Sequence, residues 1–360
     1  MKNVLVTGGA GFIGCNFIRH LLEARQDVRV INLDALTYAG SPANLEDLPA
    51  PDRHIFIHGD IRDEELVDHV IMEHRIDTII HFAAETHVDR SIAGPAPFIT
   101  TNIFGTYNLL EAARKRWLGN PGMQAVKTRF HHVSTDEVYG SLAPDAPAFT
   151  ESHPYTPNSP YAASKASSDF LVRAYARTYG LSITITNCSN NYGPYQFPEK
   201  LIPLALLNAL RGEPIPIYGD GGQIRDWLYV RDHCAAILAV LERGEPGETY
   251  NVGGNNQPTN LQLVRKLCRI LDDRLPNSPN VPHENLITFV VDRPGHDRRY
   301  AMDIRRIREQ IGWEPQETLD SGLAKTVDWY LAHQDWIATI LERPSYQEWL
   351  ERNYRERGGS

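Results

Sequence analysis

Cysteine is scarce and scattered in this chain: four in 360 residues, at Cys15, Cys188, Cys234 and Cys268. None belongs to a CxxC pair or falls at His/Cys ligand spacing, which argues against a zinc ribbon and predicts free thiols in a reducing compartment. Long apolar runs are missing as well. The opening Val4-Leu5-Val6 is too short for the core of a secretory signal, and no run approaches the roughly 18 apolar residues of a spanning helix. These absences predict a soluble, cytoplasmic protein with no membrane partner. Positive charge is in deficit too. A formal net charge of −9 with no basic stripe argues against a nucleic-acid partner. It leaves room for an anionic small ligand, because local arginines can outweigh a global excess. Histidines such as His131-His132 lack spaced ligand partners and read as structural, so no metal is expected. There is no internal repeat and no low-complexity tract.

What is present is an alternation of short β-rich runs with helical stretches over about the first 190 residues. Strands are expected at Asn3–Thr7, Val28–Leu33, Ile55–His58, Thr78–Phe82, Phe130–Val133 and Ser182–Thr186. Helices are expected at Gly11–Ala24, Glu64–His74, Phe98–Arg116 and Tyr161–Tyr179. That alternation predicts an α/β fold, a Rossmann-type doubly wound parallel sheet covered on both faces. Ligands in such sheets bind beyond the carboxyl ends of the strands. After residue 190 prolines punctuate the chain, and helices are expected at Thr259–Asp272 and Leu319–His333. We therefore expect a dinucleotide-binding domain over 1–190 and a smaller C-terminal α/β substrate-binding lobe over 191–354. Some segments of that lobe should return to the first domain, and a frayed tail should follow over 355–360.

Gly8, Gly11 and Gly14 have GxxGxxG spacing directly after a strand, with Phe12 and Ile13 opening a helix. This pattern suits a tight turn, close approach to a pyrophosphate and a helix N-terminus that favours negative charge. Asp34 ends the second strand, twenty residues after Gly14. A carboxylate there can bind the ribose 2′-hydroxyl and repel a 2′-phosphate, so NAD is expected rather than NADP. Asp60-Ile61 follows the third strand, where a carboxylate could meet the adenine amino group. Phe82-Ala83-Ala84 follows the fourth, where small residues let backbone approach the cofactor.

The catalytic candidates are Thr135, Asp136, Glu137, Tyr161 and Lys165. Tyr161 and Lys165, at i and i+4, share a helix face, and the ammonium is expected to favour the phenolate and lower the tyrosine pKa. A phenolate beside a nicotinamide can take the proton of an alcohol as its hydride leaves, with Thr135 bonding the reacting oxygen. Plain alcohol oxidation does not need the adjacent acids. Asp136 and Glu137 suggest elimination of water, one as base and one as acid, and the spacing does not say which is which.

With these motifs in place, the chain resembles the extended short-chain dehydrogenase/reductase superfamily and, within it, the dTDP-glucose 4,6-dehydratase family. The resemblance covers nearly the whole length. It is carried by Gly8–Gly14, Asp34–Gly40, His81–Ser91, Ser134–Gly140, Cys188–Pro203, Gly219–Trp227 and Asp292–Asp297. The Thr-Asp-Glu triplet and the Asn-Asn-Tyr-Gly-Pro-Tyr run are the more specific parts. Ala35 and Ser41 depart from residues often found in that family, and Trp117–Thr128 resembles a variable surface insertion. The resemblance implies tightly bound NAD, regenerated each turnover, with further cofactor contacts at Ala35, Leu36, Thr37, Glu85, Thr101 and Asn191. Tyr161 would deprotonate the glucose C4 hydroxyl, Glu137 would remove the C5 proton and Asp136 would protonate the leaving 6-hydroxyl. A nucleotide-sugar substrate would meet Thr86, Thr135, Asn190, Lys200, Leu201, Pro216, Ile217, Tyr218, Arg225 and Asn260. It would also meet Asp292, Arg293, Pro294, Gly295, His296 and Tyr354. The family also implies a homodimer formed through the helices near Phe98–Arg116 and Tyr161–Tyr179. Competing readings are a UDP-glucose 4,6-dehydratase, a nucleotide-sugar 4-epimerase, a UDP-glucuronate decarboxylase, or an NAD-binding regulator without catalysis.

Overall fold

The computed structural model describes residues 1–123, 126–292, 295–343 and 346. Its strands in chain order are β1 (Asn3–Thr7), β2 (Arg29–Asp34), β3 (His54–His58), β4 (Thr78–His81), β5 (Arg129–Thr135) and β6 (Ile183–Cys188). They continue with β7 (Asn190–Tyr192), β8 (Ile215–Tyr218), β9 (Trp227–Tyr229), β10 (Thr249–Val252) and β11 (Ile287–Val290). Seven of them form one sheet in the order β10-β6-β5-β4-β1-β2-β3, every pair parallel. The chain runs outward from β1 to β3 and then restarts at β4 on the other side of β1. That reversal opens a crevice at the carboxyl ends of β1 and β4.

The runs Val4-Leu5-Val6 and Ile79-Ile80 are fully buried, because helices cover both faces of the sheet. Each such side chain contributes roughly 1.5–3 kcal/mol relative to exposure. The helix Pro160–Tyr179 is delimited by local chemistry. Ser159 caps it by accepting from the Ala162 amide, Pro160 starts it, and Gly180 ends it in the left-handed region at φ 75°.

Residues beyond 190 build a second layer of helices and two small parallel pairs, β8 with β11 and β7 with β9. Part of this stretch rejoins the first sheet. The helix Val230–Arg243 lies against the helix Phe12–Ala24, and β10 adds the edge strand beside β6.

Three differences from the sequence-based expectations have physical causes. β5 continues through Thr135, because Ser134 and Thr135 pair with Asn187 and Cys188, so the Thr-Asp-Glu triplet begins on the strand itself. The helical stretch expected at Phe98–Arg116 is interrupted by wider π-type turns at Ile99–Gly105 and Arg114–Leu118. Trp117, expected on a surface insertion, is buried instead and donates its indole N–H to the Ile76 carbonyl at 2.8 Å. A large aromatic with a satisfied polar tip is more stable in the core than on an exposed loop. The expected tail over 355–360 and the site candidates Arg293, Pro294 and Tyr354 lie outside the described residues.

Candidate active site

The crevice is a cavity of about 600 Å³. At one end the glycine turn leaves β1. Gly8 sits at φ 74°, and a β-carbon there would stand 2.7 Å from the Ala83 amide nitrogen. At Gly14 it would stand 2.3 Å from the Gly8 carbonyl, so only glycine lets the first helix seat against the turn. No side chain caps that helix at Gly11, and Gly11, Phe12, Ile13 and Gly14 line the cavity. Their position suits an anionic group at a helix N-terminus. Asp34 is buried on the same wall, and its carboxylate accepts from the Ala10 and Leu36 amides at 2.8 Å each. Ala35, Thr37, Asp60, Ile61, Phe82, Ala83, Ala84, Glu85, Thr101 and Asn191 continue the wall, whereas Leu36 lies off it. Asp60 is engaged by the Arg62 guanidinium at 2.6 and 2.9 Å.

At the other end the cavity gathers all five catalytic candidates, Thr135, Asp136, Glu137, Tyr161 and Lys165, with Thr86, Asn190, Lys200 and Leu201 beside them. The Thr135 hydroxyl is the common node. It donates to Asp136 Oδ1 at 3.2 Å, accepts from the Glu137 amide at 3.3 Å and meets the Tyr161 phenol, which Thr86 also reaches. The two adjacent acids differ in environment. Asp136 is buried and Glu137 is half-buried. Burial, then the neighbouring charges of Glu137 and Asp226, push the Asp136 carboxyl well above the usual range against the pull of Arg225. Burial and like charge together favour the protonated form of this carboxyl.

Tyr161 departs from expectation. Burial, then Glu137 and Cys188, raise its phenol above the ordinary value, opposed by hydrogen bonds with Thr86 and Thr135. The Lys165 ammonium does not offset this, because it donates to the Val133 carbonyl at 2.8 Å and faces His132 at 3.5 Å. Burial also lowers the Lys165 pKa, with Asp169 the largest opposing charge. Asp169, one turn further along the helix, is fully buried and accepts from Ser134 at 3.0 Å, Tyr155 at 2.8 Å and Asn187 at 3.3 Å. Its other oxygen faces His132 Nε2 at 3.2 Å. His131 bonds Thr184 and Thr186 inside the sheet, the structural role expected of it.

The remaining substrate candidates do not line this cavity. Pro216, Ile217, Tyr218, Arg225, Asn260, Asp292, Gly295 and His296 belong to the adjoining C-terminal layer. Asp292 accepts from Gln223 at 2.8 Å and meets His296 at 2.6 Å, and His296 stands edge-on to Tyr218. The Arg225 guanidinium lies over the Tyr300 ring at 4.3 Å and donates to the Ile224 and Asp297 carbonyls.

Sequence reasoning missed Ser134, Cys188, Ser189, Gln196 and Glu199, which all line the cavity. The motif runs contained them, but nothing in their spacing marks a side chain as facing a ligand. Several buried polar atoms on this wall have no partner within the protein: Asp136 Oδ2, Ser189 Oγ, Asn190 Oδ1 and Gln196 Oε1. Unpaired buried acceptors and hydroxyls, together with an uncapped helix N-terminus and the buried Asp34 carboxylate, are a donor and acceptor set that a dinucleotide and a polyhydroxylated substrate would satisfy. Among the described residues no three His, Cys, Asp or Glu side chains form a metal-binding group, and no helix is long and apolar enough to cross a membrane.

Comparison with known proteins gives a consistent result. A family model described as GDP-mannose 4,6 dehydratase matches residues 5–326. The dTDP-glucose 4,6-dehydratase of Shigella flexneri is 53% identical over 362 residues, covering 98% of this chain and 99% of that protein. The dTDP-glucose 4,6-dehydratase of Xanthomonas campestris pv. campestris (strain B100) is 55% identical over 343 residues, covering 95% and 97%. The crystal structure of dTDP-glucose 4,6-dehydratase from Bacillus anthracis in complex with NAD superposes with a TM-score of 0.83 at 44% identity. That match covers 94% of this chain and all of the other.

Proposed function

The chain belongs to the GDP-mannose 4,6 dehydratase family, and from its near full-length similarity to dTDP-glucose 4,6-dehydratases we infer that it catalyses the NAD-dependent 4,6-dehydration of dTDP-glucose to dTDP-4-dehydro-6-deoxyglucose. The observation that carries this reading is the meeting, in one cavity, of the glycine turn with Thr135, Asp136, Glu137, Tyr161 and Lys165. An epimerase or decarboxylase needs the tyrosine and lysine but has no use for two acids directly after the threonine.

When bound, NAD accepts the C4 hydride and returns it to C6, so it ends each cycle as it began. Gly8, Gly11, Gly14 and Asp34 would hold it, with Phe82, Ala83 and Ala84 along its length. Tyr161 takes the C4 hydroxyl proton while Thr135 holds the same oxygen. The phenol, raised by burial in the protein alone, would be lowered toward the base form by the positive nicotinamide ring of bound NAD. The ketone acidifies C5–H, and half-buried Glu137 removes that proton. Asp136, whose buried surroundings favour the protonated carboxyl, gives a proton to the departing C6 hydroxyl, and water leaves. C5 is reprotonated as C6 becomes a methyl group. The C4 hydroxyl proton and the C6 hydroxide together account for the water, so no external acid or reductant is consumed.

Asn190, Lys200 and Leu201 receive the sugar end of the substrate in this reading. The layer that contains Tyr218, Arg225, Asn260, Asp292 and His296 receives the nucleotide, with Arg225 matched to the diphosphate by its fork of donors. The active species is a cytoplasmic homodimer. Its support is the exposure of large apolar side chains, Ile99, Phe104 and Tyr107 on one helical stretch and Phe170 on the neighbouring helix.

The test incubates purified protein with dTDP-glucose, and in parallel UDP-glucose, without added NAD, and follows product mass. The expected result is loss of one water from dTDP-glucose. Unchanged mass with altered sugar stereochemistry would assign an epimerase instead.

A further inference from the structure

The loop that follows β2 is tied down by side chains from distant parts of the chain. Ala35, Thr37, Ala39 and Gly40 line the cavity beside Asp34. The loop itself has little regular structure, only the short turn Pro42–Leu45, and Leu36 is held in the left-handed region at φ 50°. A non-glycine residue in that region is strained and persists only when its surroundings over-determine it. Part of those surroundings is local, as Asp34 accepts from the Leu36 amide and Arg19 donates to the Asn44 carbonyl, and part comes from the C-terminal end. Arg343 donates to the carbonyls of Gly40 at 2.8 Å and Thr37 at 3.2 Å. The buried Trp336 indole donates to Asn44 Oδ1 at 2.8 Å, and the Asn44 amide donates to the Ala10 carbonyl in the glycine turn, also at 2.8 Å. On the far side, Tyr38 donates to Glu199 at 3.1 Å while the Arg90 guanidinium lies over its ring at 3.7 Å.

We propose that Tyr38, Asn44, Trp336 and Arg343 are positioning residues for the cofactor, fastening residues 35–44 over the ribose end of the cavity so that NAD stays bound throughout the cycle. The proposal rests on reading the cavity as an NAD site. Its logic is chemical. In a redox-neutral dehydration, reduced cofactor lost after the first hydride transfer would strand an oxidised sugar, so the reaction needs slow release at a stage when nothing covalent holds the dinucleotide. The fastening residues reach the loop backbone and a neighbouring side chain without reaching the reacting carbons.

The test uses the purified holoenzyme and isotopically labelled NAD, and measures the rate at which bound NAD exchanges. Arg343→Ala removes two bonds to the loop, and Trp336→Phe keeps most of the ring while removing the N–H. Each is expected to speed exchange roughly tenfold, the scale of one net hydrogen bond, and the pair more. Sustained turnover without added NAD should decay and be restored by adding it. Parental exchange rates in both variants would overturn the proposal while leaving the NAD site intact. A parent protein that neither carries nor binds NAD would overturn the cofactor reading, and the proposal with it.

Discussion

Asp136 and Glu137 are neighbours in sequence and opposites in environment, and the division of labour between them is the residue-scale core of the account. Glu137→Gln should still produce an NADH absorbance rise with dTDP-glucose, yet fail to exchange the C5 proton with solvent. Turnover should fall by the roughly 10²–10⁴-fold typical of general acid–base catalysis. A variant that exchanges C5 at the parental rate would remove Glu137 from the base role. Asp136 must hold its proton to act, and burial beside Glu137 and Asp226 raises its pKa. The dehydration step should therefore fade as pH rises through that raised value, and Asp136→Asn should accumulate the oxidised sugar at every pH. A variant with the parental alkaline limb would show that another group sets it. The identities of these residues were legible from the Ser-Thr-Asp-Glu strand end, but their protonation was not. Burial decides that, as Tyr161 also shows: Lys165 four residues on suggested a lowered pKa, yet the ammonium faces a carbonyl and desolvation wins.

At the scale of elements, the helix Pro160–Tyr179 presents Tyr161, Lys165 and Asp169 on one face. Asp169 gathers Ser134, Tyr155, Asn187 and His132 behind the reacting strand. Asp169→Asn should destabilise the protein by roughly 3–5 kcal/mol in urea unfolding, the usual cost of breaking a buried charge network. It should also slow the first hydride transfer through Lys165. Unchanged stability and rate would mean that the network is redundant. Asp226, just before β9, allows a separate pH test. Folding raises its pKa from 3.8 to about 6 through burial. The stability this carboxyl contributes is therefore present below pH 3.8 and lost as pH rises through about 6. Asp226→Asn should flatten the unfolding midpoint across that window relative to the parent, and a parallel pair of curves would contradict it. The strands of the first half were readable because β-branched apolar runs end in turn residues. β10, Thr249–Val252, is bounded by turn residues too, but its four residues carry only one aliphatic side chain and its return to the first sheet is a matter of topology that no local pattern shows. The π-type turns of the Phe98–Arg116 stretch were equally invisible, since they change hydrogen-bond register and not composition.

At the scale of the whole molecule, the glycine turn and Thr-Asp-Glu segment announced both ends of the cavity, and the sheet reversal between β1 and β4 explains why they meet. The ties from Trp336 and Arg343 to the loop after β2, about three hundred residues away, could not be read from spacing at all. Assembly is testable at this scale. Phe104→Glu with Phe170→Glu should shift the sedimenting species from dimer to monomer, and an unchanged species would move the interface elsewhere. The central claim, an oxidation and an elimination joined by one retained hydride, is tested most directly with dTDP-glucose deuterated at C4. The product should have lost one water and should carry the deuterium in its C6 methyl group, with no NAD added. Deuterium washed into solvent, or returned to C4 without loss of water, would contradict the account.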